Sequence, residues 1–157
     1  MMPADPAMRP QRPSGEAAGP FRTWPLLLRW LPALALMAAI FTASNDVQVT
    51  AMMPAFAHAD KAAHLAAYAV LASLYLFALS PVMRSRPFLM GLLAVILTAS
   101  YGAADELHQS FVPGRDCSFA DWVADVVGGS LAVGSWAIVR KVRMTHVPDG
   151  GGEAKGA

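Results

Sequence analysis

Asp105, Glu106, His108 and Gln109 fall within five residues, directly after Phe88 to Ala104, a 17-residue run without a charge. Carboxylates bind cations or exchange protons, an imidazole ligates a metal or carries a proton, and an amide holds either in place. At the end of an apolar span such groups are costly unless they face protein or water, so they mark a candidate site. Two other stretches carry matching residue types: DKAAHLAAY from Asp60 to Tyr68, and DWVAD from Asp121 to Asp125.

Helical spacing decides which of these groups can meet. Asp60, His64 and Tyr68 recur every four residues and share one helix face. Tyr101, Asp105 and His108 follow at plus four and plus seven, and Asp121, Asp125 and Gly128 form a third stripe. At 1.5 Å per residue, His64 lies ~6 Å inside Asp60, Asp125 ~6 Å inside Asp121 and Asp105 ~4.5 Å inside His108. The stripes overlap in depth, and helices that turn them toward one another form a polar cup.

The elements that must position these stripes are membrane spans. The chain has 157 residues, 55% apolar and 15% charged, with a mean hydropathy of +0.42, too apolar for an ordinary soluble domain of this size. Four segments approach the length of about 20 mostly apolar residues that a crossing needs: about 24–43, 62–80, 88–108 and 119–139. The expected fold is therefore all-α, a polytopic four-transmembrane-helix bundle over 21–143. The segments 1–20, with five prolines, and 144–157 read as disordered cytoplasmic tails. Arg22 and Arg29 ahead of the first apolar run resemble a secretory signal, but the run is longer than a signal core and more spans follow, so it reads as an anchor.

Ten of the twelve Lys and Arg residues fall on one side of this layout and only Lys61 and Arg115 on the other. The positive-inside rule then puts both termini and the Arg84/Arg86 turn in the cytoplasm of an inner-membrane protein, with the polar cup opening outward. A net charge of +1 with scattered basic residues is no footprint for nucleic acid. Cys117 is the only cysteine, which excludes an internal disulfide and a thiolate-rich metal site.

Small residues favour close helix approach beside the polar stripes: Ala62, Ala63, Ala66 and Ala67 in the second span, and Ala120, Ala124 and Gly128 in the fourth. FVPGR, Phe111 to Arg115, supplies a Pro-Gly turn between spans three and four. Ser118 with Asp121 resembles a helix-capping box.

DKAAHLAAY, YGAADELHQSFVPGRD and DWVADVVGG, in this order on four spans, resemble the VanZ-like family of small bacterial membrane proteins. The positions on the family pattern are Asp60, Lys61, His64, Tyr68, Glu106, His108, Gln109, Pro113, Gly114, Arg115, Asp121 and Gly128, with Asp125 where relatives are expected to carry an amide or a carboxylate. The resemblance implies a four-helix integral protein of the cell envelope. The family takes its name from a protein associated with low-level teicoplanin resistance, which makes glycopeptide susceptibility a property to test, but membership alone does not make a chain a resistance determinant.

Three chemistries suit the cup, and no cofactor follows from the spacing. The favoured one binds an anionic lipid head group or lipid-linked cell-wall precursor, with Arg115, Lys61 and the histidines meeting phosphate. In the second, His64, His108 and Glu106 hold a divalent metal for an intramembrane hydrolase or transferase acting on a phospholipid-like substrate, with Asp105 as a further catalytic candidate. In the third, acids and histidines conduct protons or a small solute. Each feature also has a plainer reading: Asp60 and Lys61 as a helix start, His64 as a strut between helices hydrogen-bonded to Asp105 or Asp121, Arg115 as neutralising charge.

Overall fold

The computed structural model describes residues 25–46, 59–115 and 117–145. The expected tails lie outside the described residues, except that Met144 and Thr145 continue the last helix. Trp24 and Asp116 also lie outside them.

The described residues form helices joined by turns, without a strand. A 3-10 turn, Leu26–Trp30, leads into α1, Leu31–Ser44. Pro32 sits at the start of that helix, where its missing N–H has no intrahelical partner to lose. Next come α2, Ala59–Met83, α3, Pro87–Gln109, and α4, Phe119–Thr145. Together these form four segments long and apolar enough to cross a membrane. The second begins three residues earlier than hydropathy indicates, because Asp60 and Lys61 are part of the helix rather than of the loop before it. An acid in the first turn suits the positive end of the helix dipole. The last helix runs six residues past the expected 139, carrying Arg140, Lys141 and Arg143 on its final turns.

The apolar centre lies in the half of the bundle away from the polar stripes. Leu71, Tyr75, Leu76 and Leu79 of α2 meet Met90 and Ala94 of α3 and Ala33 of α1. Outside, Leu27, Phe41, Val70, Phe88, Ile96, Leu131 and Ile138 stay exposed on the bundle surface, as expected of helices whose outer faces meet lipid.

α2 and α4 make the most extensive pairing, and α1 is the most peripheral helix. A side chain at Gly128 would collide with the Leu65 carbonyl, so the two backbones touch where glycine removes the obstacle. Gly129 similarly faces Thr98 of α3 and Gly91 faces Val133, with a hypothetical Cβ 2.8 and 2.9 Å from those side chains.

Basic residues gather at the opposite end from the polar stripes. Arg29 is buried, donates to Ser80 Oγ at 3.1 Å and stacks 4.2 Å over the Phe77 ring. Arg140 donates to the Arg84 carbonyl at 3.3 Å.

Candidate functional site

The polar residues of α2 and α4 pair in parallel register. Lys61 Nζ lies 3.0 Å from Asp121 Oδ1 and 2.9 Å from Asp60 Oδ2. One turn deeper, His64 Nδ1 lies 2.9 Å from Asp125 Oδ1, and below that Leu65 meets Gly128. The expected partners of a strutting histidine were Asp105 or Asp121; the structure pairs His64 with Asp125 instead. The reason is depth: both residues sit one turn inside the Lys61–Asp121 rung. Tyr68 follows on the same face, its ring parallel to that of His64 at 6.1 Å between centroids.

α3 splits its polar residues between two neighbours, because successive residues on a helix point about 100° apart. Asp105, buried, faces α1 and α2. Ser44 Oγ donates to its Oδ1 at 2.7 Å, Gln109 Nε2 to its Oδ2 at 3.0 Å and Tyr68 OH to Oδ2 at 3.4 Å. Gln109 also reaches Ser44 Oγ at 3.3 Å. Glu106, the next residue, faces α4. Its Oε2 accepts the Ser118 backbone N–H at 2.7 Å, while Ser118 Oγ accepts that of Asp121 at 3.3 Å. The α4 cap is therefore shared. Ser118 supplies the forward half, and the reciprocal carboxylate comes from Glu106 rather than from Asp121, which turns to Lys61.

Glu106 and Asp125 are 4% and 0% exposed, yet Glu106 Oε1 and Asp125 Oδ2 have no hydrogen-bond partner. Asp125 Oδ2 lies against Gly102, where a Cβ would stand 2.6 Å away. One ligand atom from each of His64, Glu106 and Asp125 lies within 4.8 Å of the others.

Tyr101 and His108 stand apart from this group, on the side of α3 that meets α1. Tyr101 OH donates to the Met37 carbonyl at 2.6 Å. His108 Nε2 lies 3.0 Å from Asn45 Oδ1, and its ring packs tilted against Phe41 at 4.5 Å between centroids. The metal set expected from the sequence, His64, His108 and Glu106, is thus not assembled: Asp125 occupies the third position, because His108 points to α1 while Glu106 points to α4.

Arg115 is placed by the turn. Val112 to Arg115 close with a 3.1 Å backbone bond and Gly114 at φ 83°, a conformation glycine adopts without penalty. From there Arg115 Nη2 and Nε donate to the Ala43 and Ser44 carbonyls at 3.0 and 3.3 Å, capping the C-terminus of α1.

The sequence reading missed the end of α1. Ser44 is buried against Asp105, and Asn45 meets His108. The signal was available in the run Thr42, Ser44, Asn45, Asp46, a polar end to the first span at the depth where the other three carry theirs. Gly102 was also missed, since a glycine inside an apolar run carries no mark of the carboxylate it faces.

The match to known proteins runs along this same architecture. No curated protein and no solved structure matches the chain. The family model VanZ/LLP1 matches residues 12–140, which include α1 to α3, α4 as far as Arg140 and the whole polar end. With four apolar spans and that match over most of its length, this chain is a multi-pass membrane protein and belongs to the VanZ/LLP1 family.

Proposed function

We propose that the polar end of the bundle receives the head group of an anionic lipid or lipid-linked cell-wall precursor at the outer face of the cytoplasmic membrane, with both termini in the cytoplasm. The observation that carries this reading is the incomplete pairing of Glu106 Oε1 and Asp125 Oδ2 in a buried site at the ends of three spans. An unpaired buried carboxylate oxygen is costly, and it accepts only donors or cations. A head group carrying hydroxyl or amine donors offers these, and its phosphate meets Lys61 and Arg115 at the rim. The gathering of Arg29, Arg84, Arg86 and Arg140 at the opposite end supports the orientation. Lipid-linked wall precursors combine a phosphate with sugar hydroxyls, so their capture is a route to altered glycopeptide susceptibility.

Native mass spectrometry of the protein extracted in mild detergent tests the reading. Wild type and Arg84→Gln are expected to retain a phosphate-bearing lipid, and Lys61→Gln to lose it. Equal retention in the two variants contradicts the assignment of the site.

A further inference from the structure

We infer that His64, Glu106 and Asp125 form a binding site for a divalent transition-metal cation. Three helices contribute one ligand each: α2 the imidazole, α3 and α4 the carboxylates. One ligand atom from each lies within 4.8 Å of the other two. Two ligands of a tetrahedral zinc ion stand about 3.4 Å apart, from bond lengths of about 2.1 Å, so side-chain rotation that brings the ligand atoms about 1 to 1.5 Å closer closes the set.

The second observation is independent of that spacing. Glu106 Oε1 and Asp125 Oδ2 are buried and unpartnered, while the other oxygen of each residue is already engaged, by the Ser118 N–H and by His64. A carboxylate that spends one oxygen on a positioning bond and leaves the other bare is arranged as a metal ligand with its outer support in place. Asp105 supplies the contrast: three donors occupy its two oxygens, and it belongs to no such group.

The donor set narrows the ion. One imidazole with two carboxylates suits Zn²⁺ or Mn²⁺ and lacks the thiolates that select softer metals. Three protein ligands leave coordination positions open, as in sites where a metal meets a substrate or water rather than holding a fold together. Lys61 and Asp121 stand one turn toward the bundle end and close the site on that side with an ion pair.

Metal binding is separable from the head-group reading, because it requires no lipid. Should both hold, the open positions of the metal take phosphate oxygens, and the excess of carboxylates beside the site ceases to repel an anion.

Delipidated protein, stripped with a chelator and dialysed, is titrated with Zn²⁺ alone by calorimetry and with Mn²⁺ alone by electron paramagnetic resonance. Wild type is expected to bind one equivalent of either. Glu106→Gln is expected to bind at least about tenfold more weakly, and His108→Ala as wild type. The glutamine keeps an acceptor for Ser118, so that variant stays folded; a matching circular dichroism spectrum and elution volume verify this. No binding above that of a detergent blank overturns the site, as does unchanged affinity in Glu106→Gln or an equal loss in His108→Ala. Lipid retained in mass spectra of a protein that takes up no metal sinks the metal site and leaves the head-group reading standing; the reverse pattern does the opposite.

Discussion

Two buried acidic centres start from neighbouring residues of α3, Asp105 and Glu106, and are used in opposite ways. Asp105 is saturated, with Ser44, Gln109 and Tyr68 filling both oxygens and drawing α1, α2 and α3 together. Glu106 and Asp125 are each half-filled. Burial is alike in the two centres; the difference is the number of donors within reach of each carboxylate. A buried carboxylate with every lone pair engaged specifies how helices pack, whereas one left with a bare oxygen stores an unmet demand that a ligand satisfies. The contrast separates structure from recognition within a few residues.

The largest expected effect comes from emptying the saturated centre. Asp105→Ala leaves the Ser44 hydroxyl, the Gln109 amide and the Tyr68 hydroxyl without their acceptor. A loss of about 2 kcal/mol or more is expected, read as a fall of about 5 °C or more in the thermal midpoint in detergent. A midpoint within a degree or so of wild type would erase the distinction between the centres.

A smaller effect is expected from the backbone contact that sets the α2–α4 register. Gly128→Ala places a methyl group against the Leu65 carbonyl, which cannot rotate away as a side chain can. The helices part, at a cost of about 1–2 kcal/mol, and His64 moves away from Asp125. Cysteine cross-linking between positions 61 and 121 measures the separation: the yield is expected to drop in Gly128→Ala. An unchanged yield would mean that α2 and α4 do not pack through Gly128.

Much of the scaffold was legible in the sequence. Four apolar runs bounded by polar clusters are a strong signal, because hydrocarbon tolerates few other spanning structures. The stripes of α2 and α4 were readable for the same kind of reason: one spacing rule places Asp60, His64 and Tyr68, or Asp121, Asp125 and Gly128, on one face. What could not be read was which neighbour each stripe meets. Tyr101, Asp105 and His108 share a face as expected, but that face meets α1 and leaves Glu106, one residue on, to face α4. Rotation of a helix about its own axis is set by packing against its neighbours, and hydropathy along one chain does not encode it. Nor could the cap that Arg115 puts on α1 be read, a long-range contact no local pattern marks.

The most direct test of the contrast is a paired measurement on isosteric amides, Asp105→Asn and Glu106→Gln, unfolded thermally in the same detergent. At Asp105 an amide sets a donor against donors already aimed at it, so a loss of about 1 kcal/mol or more is expected. At Glu106 the amide keeps an acceptor for Ser118 and removes a bare charged oxygen, so stability stays within about 0.5 kcal/mol of wild type or rises. Equal destabilisation of the two variants would contradict the account, because it would make both carboxylates packing elements and leave no unmet oxygen for a ligand to satisfy.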